Sequence, residues 1–202
     1  MIVALELDLP SPPVWLLNQI DHGVKHRDLE LTETNKISLA NGYSDRTIIK
    51  DSITYTSRFQ KRYVLSPDAE QWVSRVTSNQ ASLPTVAINE GSSQYHGPHV
   101  DAGRNYALTY MIDTGGKNVL TSWWVRLGKP AIIEDEGKDS RFTCDYDDQL
   151  FLLHQIKMRP GRWYLYNTRI IHSVENCEEI RVSLQMNVIN PAPLLKFTTV
   201  DQ

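Results

Sequence analysis

From residue 84 onward the chain is a succession of short apolar runs in which hydrophobic and polar positions often alternate with a period of two: TVAINE, NYALTYMI, NVLTSWWVRL, LFLLHQIKM, RWYLYN, RIIHSVE and RVSLQMNVI. Their β-branched and aromatic residues fit the pleated, half-buried surface of a strand. Turn-forming residues separate them. DTGGKN and LGKP read as hairpin connections, and EDEGKDS as a longer exposed loop. Short strands with tight turns and no intervening helical pattern predict an antiparallel sandwich or jelly roll of about eight strands.

The first third is mixed. IVALELDLP alternates like a strand, PVWLLNQIDHGVKH has the make-up of a short helix, and 31–64 is polar with scattered Ile, Tyr and Val and carries little signal. The pattern sharpens at YVLSPDAEQWVSRVTSN. Ser66 suits an N-cap, Pro67 the first helical position, and Asp68 and Glu70 the positive end of the helix dipole, which predicts a helix over 67–78. The expected fold is therefore mainly β with flanking helices, in one domain spanning 1–202.

With 41% hydrophobic residues in 202, the chain has enough apolar side chains to close a core, so disorder is excluded as the overall state. A formal charge of -3 gives no long-range attraction to phosphate backbones or anionic membranes, so a small molecule or peptide is a better partner than nucleic acid. Cys144 and Cys177 are too few to staple a chain of this size and lack metal-type spacing, which fits reduced thiols. MIVALELDLPSPPVWLL has no basic leader and is broken by acids and prolines, unlike a signal peptide or a membrane span. The expectation is a cytoplasmic protein.

Candidate chemistry changes this picture at QYHGPHVDAGRNYALTYMIDTGG, residues 94–116. On a strand, residues two apart share a face, so His99 and Asp101 project together while Val100 points away. A third ligand from another strand completes a facial triad of two histidines and one carboxylate, which leaves positions open on iron. His172 in YNTRIIHSVEN qualifies, whereas His154 in LFLLHQIKM reads as a core or sheet-face histidine. A second H-x-D exists at His26 and Asp28, but the adjoining LELTETNKISL leads to no partner histidine in strand-paired spacing. His22 and His26 fit a solvated helix face.

In RVSLQMNV, Arg181, Ser183, Gln185 and Asn187 share one face, and Val182, Leu184, Met186 and Val188 the other. The polar face suits either solvent or a binding pocket. Arg181 lies nine residues after His172, enough for one strand, a short turn and the start of the next. Its planar fork is suited to holding a carboxylate, with the Ser183 hydroxyl as a further donor, so the spacing predicts an anionic ligand beside the metal.

His99-Val100-Asp101, then His172, then Arg181-Val182-Ser183 resembles, in that order, the iron(II)- and 2-oxoglutarate-dependent oxygenases. MRPGRWYLYNTRIIHSVENCEEIRVSLQ is similar to that family's approach to its distal histidine, and HVDAGRNYALTYMIDTGG to the prolyl-hydroxylase-like members. The resemblance covers roughly 84–190. It implies a double-stranded β-helix in which His99, Asp101 and His172 bind Fe(II). It further implies 2-oxoglutarate held at its far carboxylate by Arg181, Ser183 and Tyr110, and O2 as the oxidant. The implied reaction hydroxylates a C–H bond and releases succinate and CO2. On that reading 84–190 is the catalytic core, and 1–83 is a mixed α/β support and substrate-recognition region. Tyr95, His96, Arg104, Trp123, Trp124 and Arg162 are candidates for the mouth, with only one of the adjacent tryptophans facing inward. Arg104 alternatively pairs with a surface acid, and His96 with its own loop. The rival readings are a cupin-like metalloenzyme that needs no keto acid and a non-catalytic β-sandwich.

Overall fold

The computed structural model describes residues 2–40, 46–50, 53–57, 60–89, 94–101, 104–127 and 149–199. The chain opens with strand β1 (Ala4–Leu7), helices α1 (Val14–His26) and α2 (Glu33–Ala40), strands β2 (Arg46–Lys50), β3 (Ile53–Ser57) and β4 (Lys61–Val64), and helix α3 (Pro67–Val76). Next come β5 (Ala81–Asn89), β6 (Gln94–His99), β7 (Tyr106–Thr114), β8 (Leu120–Arg126), β9 (Leu150–Ile156), β10 (Trp163–Asn167), β11 (Ile171–Cys177) and β12 (Arg181–Val188). A 3₁₀ helix, Ala192–Phe197, closes the described chain.

Two sheets form, ordered β1-β10-β7-β12-β5-β4 and β2-β3-β6-β11-β8-β9. The path from β5 to β8 switches sheet at every step, and so does the return from β9 to β12. Every pairing among these strands is antiparallel. A long ribbon wound on itself in this way is a double-stranded β-helix, the jelly roll that the sequence pattern predicts. The remaining strands extend its edges: β1 beside β10, β4 beside β5, and β3 parallel to β6.

The period of two sorts the side chains of β12 between two cores. Val182, Leu184, Met186 and Val188 join Val86, Leu108 and Leu165 on the outer face of the first sheet, under Leu16 and Ile20 of α1 and Ala69 and Val73 of α3. Each fully buried aliphatic side chain there contributes roughly 1.5–3 kcal/mol. Between the sheets lies a second, smaller cluster of Ala107, Met111, Trp123, Met158, Tyr164 and Tyr166. The polar face of β12 turns into this gap, and Arg181, Ser183 and Gln185 are all buried. It is buried between the sheets rather than a solvated surface.

Several local expectations need correction. Ser66 adopts the extended N-cap conformation, but its hydroxyl donates to Gln19 Oε1 at 3.3 Å instead of capping, and the helix ends at Val76. β5 starts earlier than the apolar run, at Ala81. Its register slips opposite Gln185 and Asn187, and Leu83 there takes φ 53°, so Pro84 sits in an irregularity where its missing N–H costs no ladder bond. Of the two readings of His154 the sheet-face one holds, since it is exposed on the edge strand β9. DTGGKN is no hairpin, because β7 and β8 belong to different sheets. LGKP from residue 128, EDEGKDS and Cys144 lie outside the described residues, while Cys177 is a buried free thiol.

Gly115, in that sheet-crossing turn, ties it to the turn before Arg181. Its carbonyl accepts from the N–H groups of Glu178 at 3.0 Å and Glu179 at 2.9 Å. At φ +80°, an added Cβ would stand 2.5 Å from Cys177 Sγ and 2.9 Å from both Arg181 Cβ and the Glu179 carbonyl oxygen. Gly115→Ala is expected to cost roughly 2–4 kcal/mol, combining left-handed strain with overpacking. Urea unfolding measures this, and an unchanged midpoint would refute so close an approach of the two turns. No helix among the described residues is long and apolar enough to cross a membrane.

Candidate metal centre

Strand pairing builds the site. His99, at the end of β6, is the Cα partner of His172 on β11, so the two imidazoles emerge side by side with ring centroids 4.4 Å apart. Asp101 lies just past the end of β6, so strand alternation is not what places it. Its N–H donates to the Thr168 carbonyl at 3.0 Å in the turn that leads into β11. The carboxylate Oδ1 then stands 3.6 Å from His99 Nε2 and 4.0 Å from His172 Nε2. One donor atom from each residue falls within 4.8 Å of the others, the only such metal-binding group among the described residues.

The donors are oriented from behind. His99 Nδ1 lies 2.8 Å from the Gly97 carbonyl oxygen and His172 Nδ1 lies 2.9 Å from that of Ile170. A carbonyl only accepts, so each Nδ1 carries the proton and each Nε2 presents a lone pair to the centre, the arrangement that orients metal-binding histidines. Burial pushes His172 down to about 4, with His99 adding to the fall and Asp101 opposing it, so the ring is neutral at physiological pH. Burial alone would raise the Asp101 carboxyl, but the Arg104 guanidinium beside it holds it well below the usual carboxylate range. Two imidazole nitrogens and one carboxylate oxygen suit a first-row divalent ion, and the set leaves room for exchangeable ligands.

Arg181 lies on the triad's side of the first sheet: it touches Met158, which belongs to the inter-sheet cluster with Tyr166, the ring 5.9 Å from His172. This guanidinium is buried, and burial depresses its pKa. Its described contacts are long and mostly neutral: the Thr114 carbonyl at 3.4 Å, Thr121 Oγ1 at 3.5 Å and Met158 Sδ at 3.4 Å. Among the described residues no carboxylate stands in ion-pair range of it. A buried cation with no ion-pair partner is costly to keep in a fold. Ser183 is buried on the same face and its hydroxyl accepts from Gln185 Nε2 at 3.2 Å.

Tyr110 does not belong here. It lies on the opposite face of β7, packed in the helix-covered core with its ring 5.0 Å from Trp163. Its Cα partners are Trp163 and Leu184, whereas Met111 pairs with Ser183 and faces the gap. The tyrosines that do face the gap are Tyr164 and Tyr166 of β10, and the Tyr166 ring lies 5.9 Å from His172. RWYLYN carries that signal, since Tyr164 and Tyr166 alternate with Trp163 and Leu165. What the string lacks is which face looks inward.

Among the other candidates, Trp123 is fully buried between the sheets while Trp124 faces away and donates its indole N–H to Ser173 Oγ at 2.8 Å. Arg162 is half exposed beside Glu6. The side chains of Tyr95 and His96 lie outside the described residues. His22, His26 and Asp28 are exposed at the end of α1, on the helix layer outside the first sheet. Arg104 does pair with an acid, but a buried one, the Asp101 ligand itself.

No protein-family model and no curated protein matches this chain. Solved structures do. The epimerase SnoN, in complex with Fe3+, alpha ketoglutarate and nogalamycin RO, aligns with TM-score 0.49 and 13% identity over 92% of this chain and 78% of that one. A Pseudomonas putida prolyl-4-hydroxylase aligns with TM-score 0.46 and 9% identity over 94% of each chain. A Trichoplax adhaerens prolyl hydroxylase, bound to a fragment of hypoxia inducible factor, gives 0.43 and 13% over 81% and 78%. Hazelnut vicilin also aligns, at 0.34 and 12% over 65% of this chain and 29% of vicilin. These likenesses concern the course of the backbone.

Proposed function

We propose that this chain is an iron(II)- and 2-oxoglutarate-dependent oxygenase that hydroxylates a C–H bond of a small-molecule or peptide substrate. The observation that carries the reading is Arg181, a buried guanidinium with no carboxylate within ion-pair distance among the described residues, on the same inter-sheet side as the His99, Asp101 and His172 triad. A metal site needs no such cation; a metal-bound dicarboxylate does. This favours the keto-acid reading over a cupin-like metalloenzyme or a binding module.

In this reading His99 Nε2, His172 Nε2 and Asp101 Oδ1 hold the iron. Bound iron(II) with the keto acid supplies the activation of O2, coupled to oxidative decarboxylation to succinate and CO2. The protein's own residues do the rest. Arg181 fixes the far carboxylate by charge-assisted hydrogen bonds and Ser183 adds a neutral one, so the keto acid stays in register with the metal. Tyr164, Tyr166, Met111 and Trp123 wall the gap and exclude water. The N-terminal third contributes to substrate recognition, a role supported by the backbone pairing of β3 with β6, the strand that bears His99.

The deciding measurement is anaerobic. Adding 2-oxoglutarate to the iron(II)-loaded protein is expected to produce the weak visible charge-transfer band of a chelated keto acid. Iron-loaded protein that gives no band at saturating 2-oxoglutarate would reject the keto-acid reading.

A further inference from the structure

The Asp101 carboxylate is divided between two duties. Oδ1 faces the two imidazoles. Oδ2 is occupied by Arg104, whose Nε donates to it at 2.6 Å and whose Nη2 also contacts it. The Arg104 side chain is 7% exposed and that of Asp101 13%, so water does not compete for this pair. The arginine backbone is fixed as well. Thr168 Oγ1 donates to the Arg104 carbonyl at 2.8 Å and the Thr168 N–H donates to the Asn105 carbonyl at 3.0 Å. Thr168 is the same residue whose carbonyl accepts the Asp101 N–H, and it is fully buried. One threonine in the turn before β11 thus ties the aspartate and its arginine to the strand that carries His172.

A carboxylate offers a metal either one oxygen or two. With both oxygens free, a chelating carboxylate takes two of six positions on an octahedral ion, and the triad leaves two rather than three. We infer that Arg104 is a positioning residue that holds Asp101 to one-oxygen ligation by occupying Oδ2, and so reserves the third exchangeable position of the metal. This rests on the metal-centre reading and deepens it. Two of the open positions serve one chelating ligand and the reserved one serves a second small molecule; losing Arg104 closes the latter. The device requires an arginine, since Nε and Nη2 of one rigid fork grip the same oxygen while a lysine is a flexible point charge.

The test needs neither substrate nor keto acid. Manganese(II) is titrated into the protein and the longitudinal relaxation of solvent water is measured, which gives the metal affinity and the number of exchangeable inner-sphere waters per bound ion. The wild-type protein is expected to keep about three such waters and Arg104→Met about two, a fall of roughly one third in inner-sphere relaxivity per bound metal. A purely structural role for Arg104 would lower stability or occupancy without changing that per-ion value. Arg104→Lys keeps the buried charge and serves as the readout if the methionine variant does not fold; it is expected to show the same fall. Wild-type relaxivity per bound ion in the folded variant, methionine or lysine, overturns the inference while leaving the triad intact. Wild-type protein that binds no manganese, iron or cobalt overturns the metal centre itself, a distinct outcome.

Discussion

Replacing His172 by alanine leaves a folded protein that no longer retains iron(II) after anaerobic reconstitution and desalting. The ring is buried, neutral and aimed by the Ile170 carbonyl, so its Nε2 lone pair is committed to the centre before any metal arrives. Without it, Asp101 Oδ1 and His99 Nε2 remain as two donors on one side of the ion, too few to fix an octahedral geometry. Loss of an outer partner that merely orients a ligand typically costs roughly 10- to 100-fold in metal affinity, so loss of the ligand itself should exceed about 100-fold. Iron quantification against protein concentration, with circular dichroism as the folding control, measures this directly. Wild-type iron content in folded His172→Ala protein would remove His172 from the site.

How much of this centre the sequence discloses depends on the kind of information each part needs. The pairing of His99 with His172, and the burial of Arg181 and Ser183 on one face of β12, are legible because antiparallel pairing and a period of two turn sequence order into spatial order. The distance from His172 to Arg181 is one strand and one turn, and the structure spends it that way, as β11, the Glu178–Ile180 turn and β12. Asp101 is identified by strand alternation for a reason that does not apply, since it lies beyond its strand and a hydrogen bond to Thr168 places it. Tyr110 fails because a single strand carries no label for inward and outward. Leu108 and Tyr110 sit in the helix-covered core while Met111 faces the gap, and only the pairing with β10 and β12 decides that. The stretch 31–64 gives no pattern because α2 and the short strands β2 to β4 are peripheral elements with little apolar periodicity, and their form is set by the sheet edges they join. The alternative of a surface pairing for Arg104 is wrong because nothing local reveals that its acid is the buried ligand three residues earlier.

Arg181→Met is the second decisive substitution, and it should move stability and binding in opposite directions. In the free protein the guanidinium is buried against Met158, Thr121 and the Thr114 carbonyl, with no carboxylate among the described residues in ion-pair contact with it and only Asp113 acting on it from further off. Replacing an uncompensated buried charge by an apolar side chain of similar length should leave the ligand-free protein as stable as before or more so, by up to roughly 1–4 kcal/mol. The ligand-bound state behaves the other way. A far carboxylate of 2-oxoglutarate deprived of its cation in a closed gap loses about 2–5 kcal/mol, a weakening of about 30- to 4,000-fold in affinity. Iron binding stays near wild type because no triad contact involves Arg181. Ser183→Ala removes only a neutral hydroxyl, worth about 1 kcal/mol or roughly fivefold. Titrating 2-oxoglutarate into each anaerobic iron-loaded variant gives the affinities, and thermal denaturation without ligand gives the stabilities. Unchanged keto-acid affinity in Arg181→Met would sink the assignment of this arginine to the dicarboxylate. A marked loss of ligand-free stability would show instead that the cation already has a partner in the folded chain, and that its burial serves the fold.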